Sequence, residues 1–252
     1  MRRVVLSAVA AVALMAGTAA ASWDYFPPKD AGSGEAKLGF EFGMPMEKVT
    51  TMALSVGARY SIIDGLEASL KLPVPLMLSF DGESVDDYAG LSVPVIGVRY
   101  WLPMGLGFFL DAYLPVDTRE DLEPAMMFGV GVQYSMDFTD ELSFGSELGL
   151  LITLPKDDYT KGMDLGIGLE LGYNLGMVTP YLGLDMIVGL TDDSFDGKSL
   201  EETKTEFGLG LEIGASFAIN EMLGAGVFFK INDLLEEDNT PMTIGATFSI
   251  NF

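Results

Sequence analysis

DLGIGLELGYN, residues 164–174, alternates without a break. Leu165, Ile167, Leu169, Leu171 and Tyr173 fall on one parity, and Asp164, Gly166, Gly168, Glu170, Gly172 and Asn174 on the other. Successive side chains of a strand point to opposite faces, so a period of two predicts a strand with one apolar face. FGLGLEIGASF, residues 207–217, repeats the pattern, with Phe207, Leu209, Leu211, Ile213, Ala215 and Phe217 against Gly208, Gly210, Glu212, Gly214 and Ser216. Working outward, the same alternation predicts strands over 35–43, 51–62, 66–74, 91–102, 105–115, 127–138, 142–153, 164–174, 179–190, 205–219, 222–231 and 242–252.

The two faces decide what surrounds the sheet. In every stretch one parity is free of charge and carries the large apolar groups. The other carries glycine and the charges. A water-soluble barrel turns its apolar groups inward, and glycine on its other face would leave the exterior without polar cover. Inverted, the pattern suits lipid outside and a polar lumen within. Only a closed sheet satisfies every strand's backbone groups in hydrocarbon. The expected fold is all-β, a twelve-stranded antiparallel transmembrane β-barrel over residues 35–252.

The N-terminus predicts an export route. Arg2 and Arg3 precede an apolar run from Val4 to Gly17, followed by Ala19, Ala20 and Ala21. That order reads as a secretory signal over residues 1–21. Residues 22–34 form a short N-terminal periplasmic segment before the first strand. The chain has no cysteine, so disulfides and thiolate metal sites are excluded. With 37 acidic against 14 basic residues the net charge is −23, which excludes nucleic-acid phosphate as a partner.

The connections alternate in length. Short turns are expected at Ile63-Asp64-Gly65, Pro103-Met104, Thr139-Asp140-Glu141, Leu175-Gly176-Met177 and Asn220-Glu221, and long loops at 44–50, 75–90, 116–126, 154–163, 191–204 and 232–241. Tyr60, Tyr100, Tyr134, Tyr173 and Phe217 lie on the apolar face shortly before the short turns, and Phe252 joins them. They form a girdle at one end, where an aromatic body and a polar tip suit the membrane interface. Phe42, Phe128 and Phe207 are candidates for a sparser opposite girdle. A faint hairpin repeat recurs at Phe128, Leu165 and Phe207. Pro94 inside the fourth strand would remove a ladder bond, which predicts a bulge or strand end there.

On these features, and on the last strand MTIGATFSINF ending at Phe252, the chain resembles the bacterial outer-membrane β-barrel class, porin-like in pattern. The resemblance implies an outer-membrane location. It implies contact with the lipid bilayer and lipopolysaccharide, and a terminal aromatic, Phe252, read by the barrel-assembly machinery.

Enzymatic chemistry is weakened by absence. The chain has no histidine. Phospholipase barrels of similar strand number use a Ser–His pair, and protease barrels an Asp–His pair, so neither chemistry has its base here. The glycine runs at 166–172 and 208–214 lack the helix a dinucleotide site needs. Asp192, Ser194, Asp196 and Gly197 match the opening of a calcium loop, but its twelfth position is Thr203, with Glu202 one place early. A solvated acidic loop is the plainer reading. The other acidic loop residues (Asp81, Glu83, Asp86 and Asp87; Asp117, Glu120 and Asp121; Asp233, Glu236, Glu237 and Asp238) fit a hydrophilic rim that divalent cations could bridge to lipopolysaccharide. No metal site and no cofactor is implied.

The lumen holds most of the chemistry. Inward parity collects a basic wall of Lys37, Arg59, Lys71, Arg99 and Lys230, with Glu41 and Glu67 interrupting it. Facing it is an acidic wall of Asp111, Glu147, Glu170, Asp185 and Glu212. The walls either face each other across water or pair across a narrow lumen and close it. Inward glycines such as Gly131, Gly149, Gly168, Gly183, Gly210 and Gly226 are read as leaving an open bore, although Phe109, Leu151, Ile187 and Phe228 also point inward. The expectation is passive diffusion of small hydrophilic solutes with a bias towards cations, the alternative being a non-conducting structural or adhesin-type barrel. Trp23, Tyr25 and Phe26 could insert as a stopper or belong to a mobile tail.

Overall fold

The computed structural model describes residues 24–27, 30–85, 88–119, 124–156, 159–195, 198–199, 207–236 and 240–252. The expected signal at 1–21 lies outside them. So do Trp23, Asp86, Asp87, Glu120, Asp121, Asp196, Gly197, Glu202, Thr203, Glu237 and Asp238.

Twelve long strands form one closed antiparallel barrel. They are β1 (Gly34–Met46), β2 (Val49–Ile63), β3 (Leu66–Phe80), β4 (Val95–Trp101), β5 (Leu106–Tyr113) and β6 (Met127–Asp137). They continue as β7 (Leu142–Thr153), β8 (Asp164–Tyr173), β9 (Val178–Gly189), β10 (Phe207–Ala218), β11 (Leu223–Ile231) and β12 (Met242–Asn251). Each pairs with its neighbours in sequence, and β1 pairs with β12 from Glu35↔Asn251 to Met44↔Met242, which leaves no free edge. No described helix is long and apolar enough to cross a membrane.

Parity sets the faces. Leu38, Val56, Ile96, Leu182 and Ile244 are exposed on the outside, whereas Arg99, Asp111, Gln133 and Glu147 are buried within. In water such an exterior would be unstable. Against acyl chains the same groups are matched to their solvent, while the polar groups keep the lumen.

The first three strands are longer than the alternation alone predicts. The expected long loop at 44–50 is a tight turn at Glu47-Lys48, where Lys48 takes φ 64°. β3 runs through Pro73 and Pro75 to Phe80. Both prolines turn their missing N–H groups toward β4, so the ladder to β2 continues while the β3–β4 pairing ends at Lys71↔Val95. Beyond it, Ser92 and Gly90 donate backbone bonds to the Pro73 and Pro75 carbonyls. Accordingly β4 begins at Val95, one residue past Pro94, later than the 91 expected.

At the short-turn end, Gly65 (φ 78°) and Gly105 (φ 81°) stand where only glycine fits. A Cβ on either would also strike a backbone carbonyl, that of Trp101 or Ser135. Asn174 and Asn220 close their turns by accepting from the Gly176 and Met222 amides, each at 2.8 Å. At the opposite end Asp81-Gly82 turns the chain so that Glu83-Ser84 pairs back onto Ser79-Phe80. Tyr88 packs there on Val49 and Leu78, with the Arg119 guanidinium 5.3 Å from its ring centroid. Burial raises the Tyr88 phenol above its usual pKa, although Arg119 opposes it. Ser194-Phe195 pairs with Tyr159-Thr160, joining two neighbouring loops.

Candidate functional site

Inward residues meet through register, because cross-strand partners share a face. Glu35 lies opposite Arg59, and Glu67 opposite Arg99. The Arg59 guanidinium therefore binds Glu35 at 2.7 Å, reaches Glu67 at 3.6 Å and also holds Asp24 at 2.9 Å. Arg99 spans Glu67 at 3.8 Å and Asp111 at 3.5 Å, and donates to Ser69 Oγ at 3.1 Å. Asp111 has no exposed surface.

These ion pairs run along the wall between neighbouring strands, so the arginines of β2 and β4 are answered by Glu35, Glu67 and Asp111 on the same side. Asp111 shares their network. Lys230 donates to Asp185 at 2.6 Å across the intervening glycine of β10. Lys37 and Lys71 also face inward, half-buried, on either side of Gly57. Glu147 accepts from buried Gln133 at 2.7 Å, and Glu212 accepts from the Tyr181 hydroxyl at 2.8 Å. Glu170, half-buried, lies between Gly145 and Gly183.

The inward glycines correct the reading that they simply leave an open bore. Many are seats for rings from strands nearby. The Phe109 ring fills the space over Gly131 and Gly149, Trp101 that over Gly107, Tyr181 that over Gly214, and Phe228 that over Gly245. A ring can lie sideways over a glycine because no Cβ holds it off the backbone. Each aromatic is opposite a glycine in register, a relation that the alternation alone does not give because it needs the strand starts. Gly183 and Gly210, by contrast, meet nothing closer than 3.3 Å.

The lumen is thus filled unevenly. From β2 to β7 it is packed by Arg59, Arg99, Trp101, Phe109 and Gln133. A cavity of about 30 Å³ remains beside Phe109, Tyr113 and Glu147, room for about one or two waters. From β8 round to β2 the lining is mostly glycine, serine and threonine with carboxylates, and Glu41 is exposed inside the barrel.

Residues 24–27 enter this space and touch three walls. Asp24 binds Arg59 of β2, its carbonyl accepts from Gln133 of β6 at 3.2 Å, and the Tyr25 hydroxyl donates to Asp185 of β9 at 3.1 Å. The Tyr25 ring lies over Gly168, and Phe26 approaches Gly145. Of the two expectations for this segment, insertion holds for Tyr25 and Phe26.

Outside, Tyr60, Tyr100, Tyr134, Tyr173 and Phe217 are all exposed on the apolar face near the short turns, with Phe252 at the same end. Phe207 is exposed at the other end, and Phe42 and Phe128 are half-buried.

Several solved structures share this architecture. An outer membrane channel from Pseudomonas putida F1 superposes with TM-score 0.74 at 11% identity, over 92% of this chain and 99% of that one. The translocator domain of the autotransporter NalP from Neisseria meningitidis gives 0.61 at 12% identity, over 98% and 97%. The NanC porin gives 0.56 at 9% identity, over 86% and 98%. At such identities the likeness is one of fold. No curated protein matches the chain significantly. The outer membrane protein beta-barrel domain family matches residues 88–252. The chain therefore belongs to the outer membrane protein beta-barrel domain family and resides in the bacterial outer membrane.

Proposed function

We propose that this barrel is a narrow passive channel for small hydrophilic solutes, with a preference for cations, and that residues 24–27 set its bore. The carrying observation is the asymmetric lumen. One half is filled by Arg59, Arg99, Trp101, Phe109 and Gln133 around one small cavity, whereas the sector from β8 to β2 presents mostly small side chains and the carboxylates Glu41, Glu170 and Glu212. Carboxylates beside a restricted aqueous path concentrate cations, and low-dielectric walls focus their field. The basic residues offset this less than their number implies, because Arg59, Arg99 and Lys230 are engaged by neighbouring acids. The P. putida structure of the same fold is an outer membrane channel, which fits this reading. A catalytic role finds no support in a lumen without histidine. Lipopolysaccharide and the barrel-assembly machinery are the partners the reading implies.

Single-channel recording on refolded protein in a potassium chloride gradient tests it. The expected result is a small conductance with a cation-selective reversal potential. Replacing Glu41, Glu170 and Glu212 together by glutamine should move that potential towards anions. Absence of conductance, also after removal of residues 22–27, would favour the non-conducting structural barrel.

A further inference from the structure

One row of residues crosses five strands on the lumen side. Tyr181 of β9 is opposite Gly214 of β10, Gly214 opposite Phe228 of β11, Phe228 opposite Gly245 of β12, and Gly245 opposite Glu41 of β1. Ring, glycine, ring, glycine, carboxylate follow along the wall at one height. Strands lie about 4.8 Å apart, so the two rings originate roughly 10 Å from each other, and Glu41 a similar distance further.

The glycines determine what this row presents. Gly214 and Gly245 let the Tyr181 and Phe228 rings lie sideways along the wall. Rings lying so turn a face to the bore, where a side chain projecting across it would turn an edge. Both rings are only half-buried, in contrast to buried Trp101 and Phe109. The Tyr181 hydroxyl donates to Glu212, which fixes a carboxylate beside the first ring. Glu41 is exposed in the lumen beyond the second, and no described residue forms an ion pair or hydrogen bond with it. Lys230, two residues along β11 from Phe228 and directly opposite Glu212, has its ammonium on Asp185.

We propose that Tyr181, Phe228, Glu212 and Glu41 form a subsite for an organic cation, such as a quaternary amine, on the inner wall of the barrel. The chemistry is complementary in two ways. Aromatic faces attract a cation through the ring quadrupole, most strongly where water is restricted. The flanking carboxylates supply the countercharge, and a quaternary ammonium sheds water more readily than potassium does. The proposal deepens the channel reading by naming its solute class, but binding at the row does not require conduction.

Choline titrated calorimetrically into the refolded protein in detergent tests it. Saturable binding is expected, with its neutral carbon isostere 3,3-dimethylbutan-1-ol binding at least about tenfold more weakly. Phe228→Leu keeps apolar bulk and loses the π face. That change and Glu41→Gln should each weaken choline by roughly tenfold while leaving the heat-dependent gel shift of the folded barrel intact. No choline binding, equal binding of the isostere, or an unaffected Phe228→Leu variant would overturn the subsite. Binding without conductance would keep the subsite and remove the transport reading. Conductance without binding would do the reverse.

Discussion

Gly34 and Phe252 seal the barrel. The Gly34 amide donates to the Phe252 carbonyl at 2.7 Å, and the Phe252 amide returns the bond to the Gly34 carbonyl at 3.0 Å. A Cβ on Gly34 would lie 2.5 Å from the Phe252 ring, so the ring also covers the first residue of β1. The last residue of the chain therefore completes the β1–β12 seam at the short-turn end.

Deleting Phe252 removes both bonds and the outward aromatic together. The amount of barrel in the outer membrane should fall, and the protein that does insert should unfold at lower temperature in a heated-gel assay. A hydrogen bond contributes about 1 kcal/mol net, so the seam loses roughly 2 kcal/mol. Undiminished insertion and an unchanged melting temperature would mean that neither assembly nor the seam depends on this residue.

The lumen charges should separate into two kinds. Arg99 lies between Glu67 and Asp111, and all three are almost wholly buried. Arg99→Met strands buried Asp111 and leaves Glu67 its 3.6 Å contact with Arg59, and it should destabilise the barrel by about 3–5 kcal/mol, read from the urea midpoint. Glu170→Gln, at a half-buried lumen residue with no described partner, should cost less than about 0.5 kcal/mol. It should still move the reversal potential. The reverse ranking would contradict the division of the lumen into a packed and an open half.

Gly131 and Gly149 both hold Phe109 but differ in what else they touch. A Cβ on Gly149 would meet the Phe109 ring alone, at 2.7 Å, whereas one on Gly131 would also strike the Leu148 carbonyl and lie 2.6 Å from the Gly149 Cα. Phe109→Ala should therefore rescue Gly149→Ala, because the obstacle is a side chain. It should not rescue Gly131→Ala, where the obstacle is backbone. Thermal unfolding of the three single variants and the two double variants decides the matter.

The contrast between those glycines marks where the sequence stops being legible. Parity alone assigns Leu165 and Gly168 to opposite faces, because a strand's period is fixed by its backbone. Barrel closure follows, since β1 and β12 each need a partner in lipid. What a glycine faces is a property of register between strands, and register depends on where each strand begins. The early β3–β4 stop at Lys71↔Val95 and the tight turn at Glu47-Lys48 both moved those starts. The pairing of Arg99 with Asp111 was hidden for the same reason: they sit on adjacent strands at adjoining positions, Gly97 lying directly opposite Asp111. Tyr25 was visible only as an aromatic in a short segment, since its seat over Gly168 is made by strands more than a hundred residues later.

That seat leads to the last prediction. Residues 24–27 meet β2 and β9 through the Asp24 and Tyr25 side chains and β6 through the Asp24 carbonyl, so the first two ties can be weakened without touching a strand. Tyr25→Phe removes the bond to Asp185 and keeps the ring over Gly168. Loss of one bond of about 1 kcal/mol should shift the ratio of inserted to released segment roughly fivefold towards release. Asp24→Asn weakens the charge contact with Arg59, and the two changes together should release the segment further. On the channel reading, single-channel records should then show longer or larger open levels in the order wild type, Tyr25→Phe, double variant, and deletion of 22–27 should give the largest conductance. The deletion should leave the urea midpoint nearly unchanged, because the seam lies elsewhere and Arg59 keeps Glu35 and Glu67 when Asp24 is gone. A deletion that unfolds the barrel would make residues 24–27 part of its core, and a deletion that leaves conductance unaltered would remove them from the permeation path.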